Sequence, residues 1–169
     1  MNALVVGTEL PALKIDPISR TTLALFAGAS GDTNPVHLDH EIAQAAGMPD
    51  VFAQGMLSMA YLGRLLTDLF PADKLRSYGV RFAAITPVKG EPTCTATVTA
   101  IDESGGERRA TLALTVTLAD GTVTLTGDAV VALSPQPHRP DLGELAWESS
   151  KGASPWSPDP AAASAARSR

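Results

Sequence analysis

Between Phe26 and Leu69 the chain reads FAGASGDTNPVHLDHEIAQAAGMPDVFAQGMLSMAYLGRLLTDL. The first half crowds Ser30, Gly31, Asp32, Asn34, Pro35, His37 and Asp39 into ten residues, too polar and too rich in turn formers to be core. The second half opens with Gln54-Gly55-Met56 and becomes the longest apolar helical run in the sequence. A polar knot in front of such a helix can hold an acid and a base against an apolar groove.

Local signals around the knot predict short elements. Ser19 suits an N-cap, and Thr21–Ala29 reads as a two-turn helix carrying Leu23, Leu25 and Phe26. Pro35 lacks an amide hydrogen and pushes Asn34 into extended backbone, so that helix cannot continue through the knot. Asp39 can cap a second short helix over His40–Ala46, stopped at Gly47. The central helix is expected over Gly55–Phe70. Its apolar residues fall on more than one face and only Arg64 and Asp68 mark a wet stripe, so the helix is expected to be enclosed by other structure.

After Pro71 the period changes from helical to two. Strands are expected at Ser77–Ile85, Thr93–Ile101, Ala110–Leu118 and Thr122–Leu133, with turns at Glu103–Gly106 and Asp120-Gly121. The inward set includes Cys94, Ala96, Val98 and Ala100 on the second strand and Val123, Leu125, Ala129 and Val131 on the fourth. A further edge strand is expected around Ala12–Asp16. The fold class is therefore α+β, an antiparallel sheet curled round one helix. Open sheet edges and an incompletely covered helix make a dimer the physical expectation.

From Ser134 the pattern is lost, and six of the 13 prolines lie there among Ser, Ala and Gly. The chain is thus divided into a domain over 1–133 and a Pro/Ala/Ser-rich flexible tail over 134–169. Its 169 residues suffice for one domain with a real core and fall short of two ordinary ones. A formal net charge of −5 offers no basic patch for nucleic acid, and no apolar run reaches membrane-span length. With no secretory start and one cysteine, Cys94, neither a disulfide framework nor a Cys-based metal site is expected, and a cytoplasmic location is the default.

Asp32 and His37 lie five residues apart with Pro35 between them, a spacing that folds a carboxylate back towards an imidazole. Histidine suits proton transfer near neutral pH, and the carboxylate can orient it or hold a water. Gly55 offers a backbone amide at the positive end of the helix dipole with no side chain to obstruct approach. Bland readings stand beside this one. Asp32 and Asn34 also serve as turn or cap residues, His37 as a structural histidine, and Gly55 as a simple helix-start glycine. His37, Asp39 and His40 make a poor metal set, because adjacent positions diverge and a third well-spaced ligand is missing. Gln54 is an amide, limited to positioning or structural hydrogen bonding.

At these residues the sequence resembles the MaoC-like family of hot-dog-fold (R)-specific enoyl-thioester hydratases and 3-hydroxyacyl-thioester dehydratases. Phe26, Ser30-Gly31-Asp32-Thr33-Asn34-Pro35-Val36-His37-Leu38-Asp39, Ala43, Gly47 and Gly55-Met56 match its pattern of an aromatic residue, SGDxNPIHxD and HGM. Val80-Arg81-Phe82 is similar to the strand after the helix in dehydratase subunits of mycolic-acid-type fatty-acid elongation. The likeness spans roughly residues 5 to 133. It implies a catalytic Asp32/His37 pair that holds and activates water and a Gly55 amide facing the thioester carbonyl. Asn34 and Gln54 would be supporting residues, and Met56, Leu57 and Met59 would line the acyl pocket. It also implies an acyl-CoA or acyl-carrier-protein substrate, no cofactor, and a site at the interface of a homodimer or of a heterodimer with a paralogous subunit. Gln54 stands where the family pattern has histidine, so altered thioester positioning or chain selectivity is expected. A non-catalytic subunit supporting a catalytic partner is the alternative; a thioesterase shares the fold but fits the SGDxNPxH pattern less well.

Overall fold

In the computed structural model the described residues are 4–133; the expected flexible tail lies outside them. Five antiparallel strands form one sheet in the order β1-β3-β4-β5-β2, where β1 is Leu13–Lys14, β2 Leu75–Phe82, β3 Thr93–Ser104, β4 Glu107–Thr117 and β5 Val123–Ala132. Three helices, α1 (Arg20–Ser30), α2 (His40–Ala45) and α3 (Gly55–Leu69), precede β2. No helix among the described residues is long and apolar enough to cross a membrane.

The local signals behave as their chemistry requires. Ser19 accepts from the Thr22 amide at the start of α1, and Gly31 closes that helix with φ 77°. Asp39 accepts from the amides of Glu41 and Ile42 to start α2. The β3–β4 hairpin turns on Gly105 and Gly106, both at positive φ, as a two-residue turn matching strand twist requires.

The inner face of β3, β4 and β5 packs on α3. Cys94, Ala96, Val98, Leu112, Leu114, Val116, Ala129 and Val131 meet Leu62, Leu65 and Leu66 in one buried cluster. A second cluster, formed by Ile18, Leu23, Ala43, Val51, Ala53 and Leu57, seats α1 and α2 against the start of α3.

Two bulges change the expected facing. Val98 pairs with Leu112 but Ala100 with Thr111, so Thr99 is extra, Ile101 turns towards the core and Ala100 is displaced from it. Likewise Leu125 pairs with Val116 and Val123 with Thr117, which makes Thr124 extra, buries it and leaves Val123 39% exposed. The expected enclosure of α3 is also corrected. Only one face is buried, because the sheet covers one side of the helix; Met56, Ala60, Arg64 and Thr67 face outward.

Candidate active site

His37 ends a 3-10 turn, Pro35–His37, started by Asn34, whose side-chain oxygen accepts from the Val36 amide at 3.2 Å. Asp32 enters the same knot through short-range bonds: its amide donates to Ser30 Oγ and its carboxylate accepts from the Asn34 amide at 3.4 Å. Pro35 at the start of the turn fixes φ where no amide hydrogen is needed. This chain of side-chain-to-backbone bonds replaces regular structure and brings His37 Nε2 to 3.9 Å from Asp32 Oδ2.

The other face of the imidazole is anchored across the chain. His37 Nδ1 lies 2.8 Å from the Phe52 carbonyl oxygen, and the two rings meet edge to face at 4.8 Å. A carbonyl only accepts, so Nδ1 carries the hydrogen and Nε2 of the neutral ring is the free acceptor, directed at Asp32. The ring is buried while the Asp32 side chain keeps 43% exposure, a fixed imidazole beside a solvated carboxylate.

Phe52 leads to the start of α3. Its amide neighbour Ala53 donates to the Thr86 carbonyl, and Phe52 bridges to Pro87, so this segment is stitched to the loop that follows β2. Between them lies a cavity of about 310 Å³, lined among others by Phe52, Gly55, Ser58, Phe82, Ile85 and Thr86. Phe82 lies over Gly55: a Cβ there would stand 3.1 Å from the ring. The bulged Thr124 holds the wall, its carbonyl accepting from the amides of Ala83 and Ala84. Gly55 is the first residue of α3, and the geometry of a helix start gives its N–H no acceptor within the helix.

Gln54 is fully buried and turned away. Its Nε2 donates to the Leu23 carbonyl of α1 at 3.2 Å, and its Oε1 has no partner among the described residues. Met56, Leu57 and Met59 do not line the cavity. Met56 is 55% exposed, Leu57 packs with α1 and α2, and Met59 packs on the main core, since successive helical positions point about 100° apart. Ser58, unmarked in the sequence, lies in the cavity wall. His37, Asp39 and His40 are drawn to separate partners: Phe52, the α2 amides and Asp50.

Asp50 gathers His40, its own Val51 amide and Arg20, with the Arg20 Nη2 at 2.7 and 2.8 Å from its two oxygens. The hydrogen bond from His40, then that from Val51 and the one from Arg20, hold the Asp50 carboxyl down at about 2. The hub joins the first turns of α1 and α2 to the loop that carries Phe52. Neither Phe52 nor Asp50 stands out in the sequence, because both act through partners 10 to 30 residues away.

Residues 2–121 match the model of the MaoC like domain. The chain belongs to the MaoC-like family. A Rhodospirillum rubrum protein named (R)-specific enoyl-CoA hydratase is 33% identical over 114 residues, covering 68% of this chain and 78% of that one. 3-Hydroxyacyl-thioester dehydratase Z of Mycobacterium tuberculosis is 31% identical over 106 residues, covering 59% and 70%. Among solved structures, the (R)-hydratase from A. caviae involved in PHA biosynthesis superposes with a TM-score of 0.70 at 29% identity, over 79% of this chain and all of that one. The curled sheet and α3 of this MaoC-like chain are thus the hot-dog fold, and the polar knot and helix start both fall within the matched residues.

Proposed function

We propose that residues 1–133 catalyse (R)-specific hydration of trans-2-enoyl thioesters and, in reverse, dehydration of 3-hydroxyacyl thioesters. The observation that carries the reading is the 3.9 Å separation of His37 Nε2 and Asp32 Oδ2, with the imidazole tautomer set by Phe52. That gap is too long for a good direct hydrogen bond and short enough for both groups to accept from one water. A water that spends both hydrogens on Nε2 and the carboxylate presents its lone pair outward, towards C3 of the enoyl group.

As the C3–O bond forms, one O–H bond of the water breaks and its proton passes to the pair. The C2–C3 π electrons shift towards the thioester, and the resulting enolate oxygen is met by the Gly55 amide at the positive end of α3. The proton then returns to C2. Water is added across the double bond with no change of oxidation state overall, and the scheme calls for no cofactor or metal. CoA and acyl-carrier-protein thioesters present the same reacting atoms. The names of the relatives support the reaction class, and the (R) configuration comes from the hydratase names.

A second reading, a non-catalytic subunit of a heterodimer, is favoured only by Gln54. Because that side chain turns towards α1 and away from the cavity, its identity does not remove a group from the proposed reaction. A dimer, of like or of paralogous subunits, belongs to either reading, with the half-exposed Met56 and Phe82 beside the site available to a partner. The test is loss of enone absorbance from crotonyl-CoA and from a longer trans-2-enoyl-CoA by the purified chain. His37→Ala and Asp32→Asn are each expected to lower kcat by ~100-fold or more, the scale of a general acid–base group. A folded wild type silent on both thioesters would move the second reading to the front.

A further inference from the structure

Ser58 and Thr86 are the two hydroxyl-bearing residues that line an otherwise apolar cavity, and the proposed reaction uses neither. Both residues are buried, 1% and 3% exposed, and their oxygens lie 3.2 Å apart. Among the described residues each hydroxyl has the other as its hydrogen-bond partner. A serine inside a helix commonly turns its hydrogen back to the carbonyl four residues earlier, but Ser58 reaches across to Thr86. Two hydroxyls bring two hydrogens and the bond between them uses one. The second hydrogen has no acceptor among the described residues, and both residues that could carry it line a cavity with room for a ligand.

Resting on the hydratase reading, we infer that Ser58 and Thr86 read a hydrogen-bond-acceptor oxygen in the acyl group, so that the substrate class is an oxygenated enoyl thioester. Ser58 stands three residues beyond Gly55, about 4.5 Å further along the helix axis. With the thioester carbonyl at the Gly55 amide, the pair meets the acyl chain a few atoms past the double bond. Phe82, Ile85 and Phe52 enclose the rest of the chain with apolar surface. An ether or ketone oxygen at that depth accepts the spare hydrogen; a methylene there leaves it without a partner.

The experiment compares hept-2-enoyl-CoA with 5-methoxypent-2-enoyl-CoA, equal in chain length, for wild type, Ser58→Ala, Thr86→Val and Thr86→Ser. The readout is the ratio of the two kcat/KM values within each preparation, which does not depend on the fraction of protein that is folded. Intrinsic reactivity differences between the thioesters cancel when variants are compared with wild type. The ether-to-alkyl ratio is expected to fall roughly threefold to tenfold in Ser58→Ala and Thr86→Val, the range of one net hydrogen bond, and to persist in Thr86→Ser. A ratio unmoved in Ser58→Ala and Thr86→Val, with both thioesters still hydrated, overturns the inference and leaves the hydratase reading standing. A wild type that hydrates neither of these nor crotonyl-CoA overturns that reading, and this inference with it.

Discussion

His37 owes its orientation to one carbonyl, that of Phe52, and the neighbouring Gly55 owes its openness to having no Cβ. Gly55→Ala places a methyl 3.1 Å from the Phe82 ring, which is half exposed and able to swing. Urea unfolding should therefore change by less than about 1 kcal/mol, since alanine favours the helix while the ring gives way. Hydration should fall by up to ~100-fold, because the displaced ring alters the approach of the thioester to the amide. Adding Phe82→Leu should recover much of that loss. Gln54 invites a different substitution. Its Oε1 is buried with no partner among the described residues, so the amide contributes little beyond one bond to Leu23. Gln54→Leu should unfold within about 1 kcal/mol of wild type, and Gln54→Glu, which buries a charge, should cost about 3 kcal/mol or more.

The elements that place the site are short, and their ends matter more than their middles. α2 has six residues, too few to persist without its cap and its packing of Ala43. Asp39→Ala removes the acceptor for the Glu41 and Ile42 amides and should lower stability by about 1 kcal/mol in urea titrations. His37 lies two residues before that cap, so kcat should fall more than KM rises if fraying of α2 reaches the imidazole. The bulge at Thr124 works at the same scale. It reverses the facing of Val123 and frees a carbonyl for the Ala83 and Ala84 amides, which fixes the loop lining the cavity.

For the molecule as a whole, Asp50 and Glu107 are among the carboxylates that tie stability to pH on the acid side. Bonds from His40, Val51 and Arg20 hold Asp50 down at about 2 from an ordinary 3.8, and bonds from Arg76 and Arg109 hold Glu107 down at about 2 from 4.5. In that window the unfolded chain binds more protons than the folded one, so stability rises with pH there. The contribution is complete above about pH 4.5 and lost as the pH falls towards 2. Urea midpoints measured across that range should fall on acidification, and more shallowly in the double variant Asp50→Asn/Glu107→Gln. Cys94 supplies a global reporter. It is fully buried in the main cluster and burial pushes its thiol up to about 11. A disulfide reagent at pH 8 should leave it untouched in the native protein and label it as the sheet opens in urea.

Features that depend on near neighbours could be read from the order of residues alone. Ser19 and Asp39 cap the helices they precede, Pro35 breaks the chain where a turn stands, Gly105-Gly106 turns a hairpin, and the change of period after Pro71 marks the passage from helix to sheet. Each of these is decided within a few residues by a hydrogen bond or a φ angle. The pattern from Ser30 to Asp39 carried the family as well, because its spacing is itself the folded-back knot. Other features rest on pairs far apart in the chain and emerge only on folding. The Phe52 carbonyl chooses the His37 tautomer, Asp50 collects Arg20 and His40, and bulges at Thr99 and Thr124 turn Ile101 towards the core and Val123 to the surface. A one-residue bulge leaves composition and period almost unchanged yet exchanges the two faces of a strand. A cavity wall assembled from Ser58 on a helix and Thr86 on a loop exists only once the two are packed together.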